Sequence, residues 1–431
     1  MMPAKLNTEL PQQFLKRTEW ILFTILFLMI AGFFTWSENV VITRAIKVVG
    51  RMGVMICSFL VYKRIINYGA IDSFRWKNHF SIGLYFFYLL LGFASFAWST
   101  NPGFSALQWF MIVQSLVFSF FFIKSFAALD AFFPGHTIRL YHLIGNSVFI
   151  LIAIFIVGMY TNPDVFFRLT HGGEEARLGG YIMNPNELGM LAGVGVACLI
   201  FDLYGNHQKK WTLIKLAIIF YALYLTGSRS SLIGAILIIF FHLSQSKNKQ
   251  LKTIIIAAVI VVAPLGVYKV ILKDGDNSRL EEVMSMTGRL PFWTALIQEG
   301  LPREPLLGFG FMRIDYKEYF QSTHTYPGKM THNTFMQVLM NLGFVGLTVV
   351  IFQLLFTIRG FSMEKNEKKR MLFGMLIPIL INSFTEFGIF GESNYGILFY
   401  QIMIFAISFE PSPFLTRSES LRLEIRAKNR S

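Results

Sequence analysis

The chain has 431 residues, of which 54% are hydrophobic and only 15% charged, with a net charge of +14. Soluble domains carry about a quarter charged residues, so this composition excludes an ordinary soluble enzyme and points to an all-α integral membrane protein. The basic excess reads as Lys and Arg in cytoplasmic loops and a basic tail, and no nucleic acid is expected as a partner.

A run of about 20 apolar residues is enough to cross the hydrocarbon core of a bilayer, and about twelve such runs recur along the chain. The first, Trp20 to Trp36, follows Lys5, Lys16 and Arg17, which places the N-terminus in the cytoplasm. It is long and has no small-residue cleavage site after it, so no cleavable signal peptide is expected. The second, Val40 to Tyr62, ends at Lys63-Arg64. The third is Phe80 to Trp98; Asn101-Pro102 turns the chain into the fourth, Phe104 to Ile123, and Tyr141 to Tyr160 is the fifth. After a short outer loop come the sixth, Asn186 to Tyr204, and the seventh, Trp211 to Leu225. The eighth runs to Leu243, and the ninth is Thr253 to Leu272. A long polar interval then precedes the tenth, Thr334 to Ile358; the eleventh is Met371 to Phe390, and the twelfth ends near Phe409.

Basic loops on one side and an even span number place both termini in the cytoplasm. The organisation expected is one polytopic membrane domain over residues 1–431. It carries a partly helical outer loop at 273–332 and a basic cytoplasmic tail at 410–431. Cys57 and Cys198 fall inside apolar runs, so free thiols are expected.

Basic side chains on the outer side break the positive-inside pattern and need another reason. Arg44, Lys47 and Arg51 open the second span and, at about 100° per residue, share roughly a 60° arc. The stripe either meets outer headgroups, which suits Arg44, or faces a protein cavity that binds an anion, which suits the deeper Arg51. Arg177 stands ahead of Asn184-Pro185-Asn186, where Pro fixes φ and Asn186 can cap the sixth span. Arg229 sits in Gly-Ser-Arg-Ser-Ser, which could place a guanidinium beside hydroxyls and backbone N–H groups at a helix start. Arg289 follows Thr287-Gly288 at another helix start, and Arg303 and Arg313 lie further along the same loop.

Five of the eight histidines fall at or near cytoplasmic loops; His171, His324 and His332 do not. His332, with Asn333, is fixed at the entry to the tenth span, where it could act as a general base. Asp274-Gly275-Asp276 looks like a metal and nucleotide-sugar motif, but short acidic pairs are common in solvated loops and nucleotide sugars are cytoplasmic. With no His/Cys cluster at metal-ligand spacing, no metal and no cofactor are expected. Several arginines and one histidine suit a substrate that carries its own diphosphate: arginine neutralises the leaving group through bidentate bonds while a base activates an acceptor hydroxyl.

Four stretches occur in one order: R-L-G-G-Y-I-M-N-P-N-E-L-G, L-T-G-S-R-S-S-L-I-G, T-G-R-L-P-F-W-T-A-L with P-L-L-G-F-G-F, and H-N-T-F-M-Q-V-L-M-N-L-G-F-V-G-L. Together they resemble the O-antigen ligase and Wzy-type polysaccharide polymerase family of bacterial inner membranes. The resemblance implies a GT-C-like architecture and metal-independent glycosyl transfer at the periplasmic face. The implied donor is a glycan on undecaprenyl pyrophosphate within the bilayer. Lipid A–core is one implied acceptor, and chain-length regulator and flippase proteins are implied partners. It implies that Arg229 and Arg289 bind pyrophosphate and that His332 activates the acceptor. Arg177, Arg51, Lys47, Arg44, Arg303 and Asn333 are the accompanying substrate-binding candidates.

The motifs leave the acceptor open. Polymerisation of repeat units is the first reading, helped by the Gln-x-Leu-x-x-x-Gly run after His332-Asn333. Ligation to lipid A–core is the alternative, followed by protein glycosylation. A transporter or flippase is the competing class, but it should carry ionisable residues near the bilayer midplane. Here, Arg51 apart, the charges gather at the outer rim, where Glu386 also lies.

Overall fold

A computed structural model describes residues 2–3, 12–68, 74–133, 136–170, 175–205, 209–245, 253, 289–311, 314, 316–323, 330–386, 388–411, 414–415 and 425. Almost all of the expected ninth span, the Asp274–Asp276 pair, Arg313, His171, His324 and the tail residues Arg417, Arg422, Arg426, Lys428 and Arg430 lie outside the described residues. Among the described residues, every other expected span coincides with a helix. In chain order these are α1 (Gln12–Ala31), α2 (Val40–Asn67), α3 (His79–Ala94) and α4 (Pro102–Phe132). Next come α5 (Leu140–Thr161), α6 (Pro185–Gly205), α7 (Lys209–Leu225) and α8 (Arg229–Gln245). The short α9 (Arg289–Ala295) precedes α10 (Thr334–Met363), α11 (Asn366–Ser383) and α12 (Tyr395–Ser408). Six of these segments, α2 to α6 and α10, are long and apolar enough to cross a membrane by length and composition.

Asparagine side chains start several helices by accepting otherwise unpaired backbone N–H groups. Asn39 does so for α2, Asn101 with Pro102 behind it for α4, Asn333 for α10 and Asn394 for α12. Helix α4 runs two turns past Lys124 because that ammonium lies over the rings of Tyr62, Phe74 and Phe120, so the charge needs no helix end. Helix α11 starts earlier than its apolar run and stops at Ser383, leaving residues 384–386 and 388–390 outside any helix.

The bundle closes on α12, whose residues are all buried, as expected for a helix apolar on every face. Small residues let α6, α8 and α11 approach closely. A Cβ on Gly193 would stand 2.8 Å from the Cβ of Pro378, and one on Gly189 would stand 2.6 Å from the Ser231 hydroxyl.

Helix α10 breaks at Gly343, where φ is +60° and ψ −162°. The Pro305-Leu-Leu-Gly-Phe-Gly310 stretch threads this break. The Phe344 and Val345 N–H groups donate to the carbonyls of Pro305 and Leu306, while the Phe309 and Gly310 N–H groups donate to those of Met340 and Asn341. The backbone groups released by the break are thus paired by the loop, which is the condition for tolerating a broken helix inside a membrane protein. The motif that looked like loop sequence is therefore the clasp that fixes the first three turns of α10.

Candidate active site

Glu386 follows α11 and is 3% exposed. Its backbone N–H donates to the Asn382 carbonyl, which turns the chain inward at the end of α11. A buried carboxylate must be paired and fully hydrogen-bonded. Three side chains from three other elements meet this need. Arg289, the first residue of α9, donates from Nη2 to Oε1 over 2.6 Å, and from Nη1 to the Thr385 carbonyl over 2.6 Å. The Asn186 amide, in the first turn of α6, donates to the same Oε1 over 2.7 Å. His332, just ahead of α10, meets Oε2 through Nδ1 over 2.7 Å.

Burial alone would push the Glu386 carboxyl up. The bond and charge of His332, the charge of Arg289 and the Asn186 amide outweigh it and hold the group below the ordinary carboxylate range. An ionised carboxylate cannot donate, so Nδ1 of His332 carries the proton of this bond, and in the neutral tautomer that this selects Nε2 is the acceptor.

His332 is held for this task by its backbone. Its φ is +50°, in the left-handed region that a residue with a Cβ enters only when the surroundings impose it. The surroundings are on both sides. The Thr331 carbonyl accepts from the Trp293 indole over 2.6 Å, and Asn333 caps α10 while donating to the Phe384 carbonyl. His332 is thus pinned between α9 and the turn that carries Glu386.

A second layer ties in Arg177. Its Nε donates to the Thr226 carbonyl and its Nη2 to Oδ1 of Asn186, both over 2.7 Å. With its oxygen engaged by Arg177, the Asn186 amide can present only its NH2 to Glu386. The sequence expectation that Asn186 caps α6 is corrected here. Asn184 caps, its Oδ1 accepting from the Asn186 N–H over 2.9 Å, and the Asn186 side chain is released for the network.

Arg229 begins α8 beside this cluster. Ser230 donates to Oδ1 of Asn382, and Ser231 donates to the Asn186 carbonyl, each over 3.4 Å. The Arg229 side chain is exposed and, among the described residues, has no hydrogen-bond or ionic partner. Gly227, at φ +59°, lets this turn pass within 3.1 Å of the Arg177 Nε, measured from the position a Cβ would take.

The remaining candidates are distributed differently. Arg51 is 1% exposed and faces protein: Nη2 donates to the Met111 carbonyl, Nη1 to the Ser393 hydroxyl, and the guanidinium lies 3.9 Å from the Phe33 ring centroid. Lys47 donates to the Thr35 hydroxyl, and Arg44 is exposed. Arg303 is exposed and lies over the Phe320 ring, apart from the carboxylate cluster. Among the described residues, no three His, Cys, Asp or Glu side chains gather as metal ligands.

Residues 214–351 match a family model described as O-antigen ligase. Over this segment the chain is similar to the O-antigen ligase family. The match takes in Arg229, Arg289, Arg303, His332 and Asn333, and leaves Arg177, Asn186 and Glu386 on either side of it. No curated protein matches the chain. Members of this family are membrane enzymes of glycan transfer, and the helices described above agree with a multi-pass membrane protein. Sequence reasoning passed over Glu386 as a site residue. Its signal was present as a lone acid at the end of an apolar run, where a buried charge calls for partners.

Proposed function

We propose that the chain is a glycosyltransferase of the outer membrane-facing rim, acting on glycans carried by undecaprenyl pyrophosphate, and that it polymerises repeat units. The observation that carries this reading is the carboxylate of Glu386 held between Arg289 and His332. His332 offers Nε2 to an acceptor hydroxyl. The hydroxyl proton passes to Nε2, the oxygen attacks the anomeric carbon, and the bond to the diphosphate breaks with its electron pair on the leaving oxygen. Glu386 then faces an imidazolium, whose charge it offsets.

Charge that develops on the diphosphate needs donors already in place. Arg229 supplies an uncommitted guanidinium. Arg289 spends two N–H groups on Glu386 and Thr385, out of the five that a guanidinium carries, and keeps the others for an anion. No step in this sequence requires a metal. In the same reading the chain spans the inner membrane twelve times, with both termini cytoplasmic and the Glu386 end periplasmic.

Ligation to lipid A–core is the second reading, favoured by the description of the matching family. A deletion strain separates the two. Surface glycans reduced to single repeats on lipid A–core indicate a polymerase. Full-length chains left on the carrier, with none on the core, indicate a ligase.

A further inference from the structure

At the end of the bundle away from Glu386, α1, α5 and α7 leave a cleft of about 470 Å³. The three helices run parallel. Their C-terminal ends lie on the Arg177 side: α7 leads into Thr226, whose carbonyl accepts from Arg177, and Thr35 beyond α1 donates its N–H to the Ile182 carbonyl. Helix α5 ends at Thr161, next to the hairpin of Phe167–Thr170 with Glu175–Leu178 that carries Arg177. The cleft is built from their opening turns, where helix dipoles favour negative charge.

Its lining is graded. At the rim are Lys16 and Glu19, with the exposed Trp20 beside them. Counted along the helices from their starts, His142 and Asn146 come before Phe149 and Ile150, Lys215 lies in the second turn of α7, and Phe23 follows Trp20. Lys215 stands six residues into an apolar helix, roughly 9 Å from its start. Its ammonium donates to Oδ1 of Asn146 over 2.6 Å, which draws it toward α5 and the cleft. An amide oxygen carries no counter-charge, and among the described residues no carboxylate lies within ion-pair distance of Lys215. The nearby Asp202 is buried behind His142 and Thr212, which occupy both of its oxygens. Lys16 and Lys215 against Glu19 leave the lining net basic.

We propose that this cleft is a binding site for an anionic glycerophospholipid. The headgroup phosphate lies between Lys16, His142 and Lys215, and an acyl chain runs over Phe23, Phe149 and Ile150. A basic rim, a tryptophan at the polar boundary and an apolar floor in that order match the profile of a phospholipid entering from the membrane surface. A lysine inside an apolar helix with no carboxylate at ion-pair distance thereby gains a phosphate.

The test uses the full chain purified in detergent, with native mass spectrometry of added phosphatidylglycerol, phosphatidylcholine and a polyprenyl phosphate. The wild type should hold one phosphatidylglycerol in preference to the other two. Lys215→Met should weaken that binding about tenfold or more, the loss expected when a desolvated ionic hydrogen bond is removed, while Lys63→Met at an exposed position should not. Ile150→Trp, at an exposed site, should fill the cleft and give the same loss should Lys215→Met fail to yield monodisperse protein. Unchanged phosphatidylglycerol binding in these cleft variants overturns the proposal. So does displacement of the lipid by millimolar inorganic phosphate, which marks a free-anion site, or preference for polyprenyl phosphate, which marks a carrier site.

Discussion

The Nδ1 of His332 lies 2.7 Å from Oε2 of a glutamate 54 residues further along the chain, and that carboxylate is 98% shielded from solvent on its side chain while the imidazole remains 21% exposed. The pair therefore has a buried half that fixes orientation and an open half that can meet a substrate. This division follows from two chain features. The turn after α11 pulls Glu386 inward, and the positive φ of His332 turns its ring toward it.

The first prediction concerns pH. Glu386 titrates below its ordinary value, so its share of stability is fully present above about 4.5 and is lost as pH falls through its depressed native value. The melting temperature of the wild type should exceed that of Glu386→Gln at neutral pH, and the gap should close as the medium is acidified. A gap that stays constant down to acid denaturation would mean that the carboxylate is not the stabilising form. The same variant should lose roughly 10²–10⁴-fold in kcat, because a carboxamide can donate to the ring and select the wrong tautomer.

Asn186 tests whether the second layer positions the dyad or touches the donor. Asn186→Ala removes a donor to Glu386 and an acceptor for Arg177, bonds to charged groups worth about 1.5–3 kcal/mol each. Transfer should slow by about 10–100-fold in kcat with little change in the KM for the lipid-linked donor. A rise in KM at unchanged kcat would place Asn186 on the substrate instead.

The break in α10 gives a third. At Gly343 a Cβ would stand 2.2 Å from the Leu306 carbonyl carbon, at a φ of +60°. Gly343→Ala should cost at least about 1–3 kcal/mol from backbone strain alone, seen as a lower melting temperature and poorer recovery of monodisperse protein. Gly83, in the middle of α3, has open space where a Cβ would go, and Gly83→Ala should be neutral or stabilising. Equal behaviour of the two variants would remove the clasp as a structural element.

Much of the fold was legible because apolar run length and asparagine caps are local signals. Asn101-Pro102 and Asn333 start helices where the sequence indicated. The helix ends were less legible. Lys124 reads as a terminus until the rings around it are known, and the unwinding after Ser383 depends on Glu386 finding Arg289, Asn186 and His332 from remote elements. The same holds at the site. Arg289 and His332 stood out by type and setting, and they do converge, but on a glutamate whose position at the end of an apolar run marks it as unusual without naming its partners. Arg177 was legible as unusual, yet its partners, Thr226 and Asn186, are a matter of tertiary contact.

Orientation in the membrane yields a fourth prediction. On a background with Cys57 and Cys198 replaced by Ser, a cysteine at the exposed Glu304 should react with an impermeant maleimide added outside the inner membrane, and one at the exposed Glu367 should not. Reaction at 367 and protection at 304 would invert the topology and move the site to the cytoplasm.

The most direct test of the central claim, that His332 is the base of a metal-free transfer, is glycan transfer by purified wild type and His332→Ala, each with chelator present, beside a measurement of donor binding. The account predicts full wild-type turnover in chelator. It also predicts that His332→Ala loses transfer while its donor Kd stays within about threefold, since the arginines and not the imidazole hold the diphosphate. Undiminished transfer by His332→Ala, or loss of wild-type turnover in chelator, would contradict it.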